Sequence, residues 1–379
     1  MTRKALVVNC SAPKRATGGI QWEPEGRKPR GWTYNLGAAK LANWLRDEGW
    51  DVAEAAGDVG LLAYGYDLVA LSVIFSWHAP LARDIALRVK ANSEVWAGGP
   101  GLFALGPWWT RETGLQAQRG LDDRFERQPG QYKMVFASRG CPVGCWWCIV
   151  PQLEGREFTL NWDFRPAATL GDNNLSALAL EFQRHIVRRY QDSGQPLIDA
   201  NSGFEPSFLT EEVFDIWEPL LSRTGAPWRF AFDEEREREA VLRVIRMLRR
   251  RGVSSRRIRC YTLLGNEPIE QCLDRVWTVI AEGGEPFAAY IRQLNELGGP
   301  LKPRHDWTER LAIDAQRYIN RFVWRRTPIT AYRPRRDGTP AFAFLAGTRF
   351  AHLPVQRRSN LHAVRGRLDG LRMRADEAC

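Results

Sequence analysis

Short apolar runs alternate along the chain with stretches whose apolar residues return every three or four positions. Residues 4–10, Lys-Ala-Leu-Val-Val-Asn-Cys, predict a buried parallel strand. Residues 36–49 predict a helix, with Leu41, Trp44 and Leu45 on one face and Gly49 as its stop. Strands follow at residues 51–55, 67–75 and 94–97. Between the last two lies a helical pattern at residues 79–92, through Leu81, Ile85, Ala86 and Val89. The fourth strand runs into Gly98-Gly99-Pro100-Gly101. This alternation implies an α/β fold: a doubly wound, Rossmann-like parallel sheet over residues 1–128, with ligands at the carboxyl ends of its strands.

Residues 102–130 show no period and are expected to be a connector, with a boundary near 127–130. A second alternation starts at Tyr132. Strands are expected at residues 132–138, 168–170, 196–200, 229–232, 257–264 and 287–292. Helices are expected at residues 175–192, 210–222, 234–251 and 269–282. Six strand–helix units within residues 129–300 are too few for a closed eight-unit barrel, which takes about 250 residues. They predict a partial (β/α)6 TIM-like barrel. Residues 301–379 predict a helical and irregular extension: a closing helix at 307–326, then an arginine-rich tail at 355–379, expected to be mobile.

Of the 379 residues, 44% are hydrophobic and 26% charged, as in a globular protein, and 16 Trp exclude wholesale disorder. No apolar run nears the ~18 residues of a membrane span. The short apolar N-terminus has no cleavage site behind it, so a cytoplasmic protein without a membrane partner is expected. A net charge of +10 attracts anions. The arginines are spread along the chain, however, so a nucleic-acid partner is not favoured. Seven cysteines, an odd number, without a secretion signal argue against a disulfide framework. Cys260 and Cys272 fall on a strand and a helix face, where core thiols are expected. None of the five histidines forms a pair at metal-ligand spacing.

Three cysteines crowd into Ser138-Arg139-Gly140-Cys141-Pro142-Val143-Gly144-Cys145-Trp146-Trp147-Cys148. Thiolates this close suit a metal centre. Structural zinc wants four protein ligands, and no fourth Cys or His lies nearby. A [4Fe–4S] cluster also usually takes four Cys, but three leave one iron open to a substrate or cofactor.

The C-x3-C-x2-C spacing, with Trp147 before the third cysteine, resembles the signature of the radical S-adenosylmethionine (radical SAM) superfamily. The flanks Arg139-Gly140-Cys141-Pro142 and Cys148-Ile149-Val150-Pro151, with Glu154-Gly155-Arg156 beyond, resemble its methylthiotransferase and cobalamin-dependent branches. The resemblance covers residues 132 to about 295. It implies that Cys141, Cys145 and Cys148 ligate three irons of a [4Fe–4S] cluster, and that the fourth iron chelates the amino and carboxylate groups of S-adenosylmethionine. One electron from the cluster then cleaves the sulfonium to give a 5′-deoxyadenosyl radical. A low-potential donor such as flavodoxin or ferredoxin is the implied partner. Family contacts to S-adenosylmethionine come from strand ends, which here offer Asp172, Asn173, Asn174, Glu205, Asp233 and Gly265. Asp172-Asn173-Asn174 equally reads as the cap of the helix expected at Leu175. Asp233 equally reads as a cap. No residue is assigned a catalytic role, and the substrate is not readable.

The segment around Ser72, together with Gly98 and Gly99, resembles the cobalamin-binding domain that precedes the barrel in one branch of the superfamily. Glycines there let backbone approach a corrin or its nucleotide tail. A bound cobalamin would imply methyl transfer to an unactivated carbon. The lower-ligand His of that fold is replaced by Cys10-Ser11-Ala12-Pro13. The loop at residues 13–30 covers a ligand or is disordered. Two other readings compete. RNA methylthiolation needs three further Cys in the N-terminal domain, and only Cys10 precedes Cys141. A metal-bearing nucleic-acid-binding module without activity would carry zinc in place of about four iron.

Overall fold

The computed structural model describes residues 2–11, 34–201, 203–292 and 304–352. The expected 13–30 loop, the 355–379 tail and Ser202 lie outside these residues. The chain parts into two compact units, Met1–Phe230 with Arg292–Leu301, and Ala231–Ile291 with Lys302–Cys379. It is an α/β protein with parallel sheets. No described helix is long and apolar enough to cross a membrane.

In the first unit, β1 (Lys4–Asn9), β2 (Asp51–Ala56), β3 (Leu68–Ser72) and β4 (Glu94–Gly98) form a parallel sheet in the order β2-β1-β3-β4. Alternate side chains of β1 and β3 leave on opposite faces. Ala5, Val7, Leu68 and Ala70 pack on Ala38, Ala42 and Leu45 of α1 (Leu36–Asp47). Leu6, Val8, Val69 and Leu71 pack on Ala82, Ile85, Ala86 and Val89 of α2 (Ala79–Val89). Both faces are covered, which is why these strands read as continuous apolar runs. Asn35 starts α1, its side chain accepting from the Ala38 N–H at 3.0 Å.

Residues 102–130, expected as a connector, instead hold helical segments: the end of α3 (Pro100–Phe103), α4 (Gly106–Thr113) and α5 (Asp123–Glu126). Such short helices show too few turns for a period to register. Trp109 of α4 is fully buried in the core of the sheet.

The second half of this unit is built from shorter strands. The expected strand at 132–138 is broken into β5 (Met134–Val135) and β6 (Ser138–Arg139). After α6 (Val150–Leu153), β7 (Thr159–Leu160) pairs antiparallel with β6, bracketing the cysteine segment. β8 (Thr169–Leu170) and β9 (Asp199–Ala200) join β5 in a parallel sheet in the order β5-β8-β9. The helix expected from Leu175 starts later, as α7 (Leu180–Ser193). Asn174 accepts from the Ala177 N–H at 3.1 Å and from the Ser176 hydroxyl, so a side-chain turn replaces the first helical turn. α8 (Glu211–Thr224) is capped by Thr210. It packs on α7, where the Trp217 indole donates to Gln183 at 2.9 Å. β10 (Trp228–Ala231) lies at the division between the units.

In the second unit, α9 (Arg238–Arg250) follows a capping box between Glu234 and Glu237. β11 (Ile258–Leu264) and β12 (Glu285–Tyr290) run parallel on either side of α10 (Ile269–Ala281) in the sequence. The closing helix is α11 (Glu309–Asn320), shorter than expected, because Phe322 takes a left-handed conformation at φ +54°. Asn320 fixes its end by exchanging hydrogen bonds with the Ala288 backbone of β12 at 2.7 and 2.9 Å.

One glycine in the first unit is required by packing. The loops after β3 and β4 are joined by Val73 N–H to Gly98 O and Gly101 N–H to Val73 O, both at 2.9 Å. Gly99 lies between them at φ +103°, and a Cβ on it would stand 2.5 Å from the Val73 carbonyl oxygen. Gly99→Ala is therefore expected to destabilise the protein by about 2 kcal/mol or more, seen as a lower urea midpoint, whether or not any ligand is present.

Candidate functional site

The cysteine segment leaves β6 through Gly140, whose φ of +92° suits glycine, and a Cβ there would run into the Glu157 carbonyl. The Cys141 N–H donates to Gly155 O at 3.2 Å, and the Cys148 N–H donates to Cys145 O at 3.0 Å. These bonds fold residues 141–155 into a closed loop. Cys141, Cys145 and Cys148 are all half-buried. Trp147 is half-buried and meets the exposed Trp146 edge-on at 5.2 Å. Asn174 brings its side-chain amide to 3.8 Å from the Cys141 sulfur, as a donor. Among the described residues, no group of three or more His, Cys, Asp and Glu converges on a single-ion site.

Two carboxylates fix the root of this loop. Asp172 is fully buried. It accepts from the Ala137 N–H at 2.9 Å, the Ser138 N–H at 2.5 Å and the Ser138 hydroxyl at 2.6 Å. It therefore ties the end of β8 to Ala137 and the start of β6, and it does not cap α7. Burial pushes its carboxyl up to about 6, against the pull of these donors. Glu154 accepts from the Gly140 N–H at 3.0 Å and from the Asn173 amide at 2.7 Å. All three members of the Asp-Asn-Asn run thus face the cysteine segment or its root.

Glu154 also ends a chain of charges. Arg139 donates to Glu154 at 3.2 Å and to Glu126 of α5 at 2.6 Å. Glu126 in turn meets Lys40 of α1 at 3.2 Å. Lys40 is largely buried, which lowers its pKa, and the Glu126 carboxylate opposes that shift. The chain links the helix on the N-terminal sheet to the residue before Gly140. Lys40 and Glu126 escaped the sequence reading because their partners lie 86 and 13 residues away in sequence. Glu154 carried a signal, its place six residues after Cys148.

The other expected site residues are dispersed. Glu205 follows β9 in the same unit; its carboxylate accepts from the Ser207 hydroxyl at 3.0 Å, and its backbone bonds Ser176. Asp233 and Gly265 belong to the second unit. The Asp233 carbonyl accepts from the Asn266 amide at 2.6 Å, and the Tyr290 ring occupies the space beside Gly265. Ser72, Gly98 and Gly99 line a cavity of about 460 Å³ in the first unit, at the carboxyl ends of β3 and β4. Cys10, Cys260 and Cys272 are buried, and burial pushes their thiols up, Cys10 and Cys272 to about 12.

No family model matches the chain, and no curated protein matches it.

Asp172 gives a pH test. Its folded value of about 6 lies above the ordinary 3.8, so the folded state holds the proton more tightly. The stabilisation this brings is fully present below the ordinary value and is lost as pH rises through the folded one. Asp172→Asn removes that dependence. In denaturant titrations, the stability advantage of wild type over the variant is expected to shrink by up to ~3 kcal/mol between pH 4 and pH 7. An advantage that grows with pH would contradict a raised value.

Proposed function

We propose that the chain is a radical SAM-type enzyme whose loop at residues 141–148 holds a [4Fe–4S] cluster through Cys141, Cys145 and Cys148. The observation that carries this reading is a hydrogen-bonded loop that presents three half-buried thiols within eight residues. Zinc calls for four ligands around one ion. Three cysteines at this spacing leave one iron of a [4Fe–4S] cluster open to a further ligand.

Bound there, the cluster would supply the electron that cleaves S-adenosylmethionine reductively to a 5′-deoxyadenosyl radical. The chain's own residues hold and shield. Asp172, Glu154 and Asn173 fix the root of the loop, and Asn174 donates toward the Cys141 sulfur, a contact of the kind that tunes cluster potential. Trp147, half-buried next to the third cysteine in sequence, is the aromatic side chain that would shield a cluster there. Because Asp172 is consumed within the fold, Glu205 is the carboxylate that we assign, of those expected in the first unit, to S-adenosylmethionine or substrate. On this reading β5, β8 and β9 open a partial barrel preceded by a doubly wound domain, and a flavodoxin or ferredoxin supplies electrons in the cytoplasm.

Anaerobic reconstitution tests the proposal. About four iron per chain are expected, with 5′-deoxyadenosine formed from S-adenosylmethionine and dithionite. Replacing any one of Cys141, Cys145 and Cys148 by Ala abolishes the product; zinc in place of iron, or full iron retention in all three variants, would refute the reading. Glu154→Gln and Asn174→Leu are expected to weaken cluster retention about tenfold, read as iron lost to a chelator over time.

A further inference from the structure

The cavity at the carboxyl ends of β3 and β4 has its own chemistry. It lies where a parallel sheet of this strand order places ligands. Its volume of about 460 Å³ is that of a site for a small molecule. Leu36, Leu71, Phe75, Trp96, Phe125 and Phe136 give it a largely apolar wall.

Six charged side chains also line it: Lys40, Arg124 and Arg139, against Asp122, Glu126 and Glu154. They cancel, and each is paired with another of the six. Lys40, Glu126, Arg139 and Glu154 form the chain described above. Arg124 meets Asp122 at 2.5 Å and lies over the rings of Trp44, Trp96 and Phe125 at 5.3 to 5.9 Å. An incoming anion reaches Lys40 or Arg139 only in competition with the carboxylates that already hold them, and breaking such a shielded pair leaves its partner charge uncompensated; the half-exposed Arg124 is already engaged by Asp122.

The glycines that would cradle a phosphate or a corrin are already occupied. The space beside Gly98 holds the Gln118 side chain, at 3.0 Å from an added Cβ, and the space beside Gly99 holds the Val73 carbonyl. The Gly101 N–H donates to Val73 O.

We propose that this cavity binds a neutral, mostly apolar molecule of small-ligand size, and neither a corrin nor a phosphate-bearing cofactor. The inference stands whatever the cysteine loop holds.

The test titrates the full chain with N-phenyl-1-naphthylamine, a neutral apolar fluorophore, and with anilinonaphthalene sulfonate, its anionic counterpart. The neutral probe is expected to bind saturably, one per chain, at about micromolar Kd, and the anionic one at least about tenfold more weakly. Leu121→Trp, which fills the cavity from its wall, abolishes binding of the neutral probe. Gln118→Lys, at an exposed position, adds an unpaired cation, and is expected to tighten the anionic probe about fivefold while weakening the neutral one. This second variant carries the test should the first fail to fold. Equal affinity of the two probes for wild type would overturn the proposal. So would probe affinities unmoved by Gln118→Lys, or retention of hydroxocobalamin by the wild-type chain at micromolar concentration in equilibrium dialysis. None of these outcomes depends on iron or on S-adenosylmethionine, so failure here is distinct from failure of the radical SAM reading.

Discussion

A carboxylate with no access to water holds together the strands that deliver the cysteine loop. Asp172 takes the backbone N–H groups of Ala137 and Ser138, where the chain passes from β5 to the start of β6. Leaving those donors unpaired in the interior would cost about 1 to 3 kcal/mol each. The charge is itself costly to bury, which is why its pKa rises. A neutral acceptor would avoid that cost but would offer fewer lone pairs to three donors. The direction of the Gly140 turn, and with it the place of Cys141, follows from that choice.

The same logic continues outward through Glu154. It takes the Gly140 N–H and so prolongs the hold of Asp172 by two residues. Its other oxygen meets Arg139, which meets Glu126, which meets Lys40. Removing one member of a buried chain of this kind leaves a neighbour uncompensated, so the members stand or fall together more than pairwise distances suggest. The N-terminal sheet is thereby coupled to the root of the cysteine loop through side chains rather than through a shared sheet.

How far the sequence could be read depended on where each signal lies. The first four strands and two helices were legible because their apolar residues are contiguous or evenly spaced, and because both faces of the sheet are covered. β5 and β6 read as one strand in the sequence, since Phe136 and Ala137 continue the apolar run; the acceptor that takes up the N–H groups of Ala137 and Ser138 is Asp172, 35 and 34 residues further on. The late start of α7 had a local cause, Asn174 bonding Ala177, that propensity alone does not separate from a helix cap. Of the site, the three cysteines were plain from spacing. The carboxylates that position them were visible as residues but not as partners, because hydrogen bonds across strands leave no period in the sequence.

Burial sorts the chain's thiols, and this bears on what the loop can do. Cys10, Cys260 and Cys272 are sealed in cores that disfavour the thiolate, the form that binds metal and attacks electrophiles. Cys141, Cys145 and Cys148 sit half-exposed on one loop, with an amide donor aimed at the first sulfur. Accessible thiols are thereby gathered in a single place among the described residues. The glycines after β4 follow the opposite course. They resemble a ligand cradle in sequence, yet the chain fills that space itself, with a carbonyl at Gly99 and a side chain at Gly98. A glycine signals close approach of something; only the packing shows whether that is a ligand or the protein's own backbone.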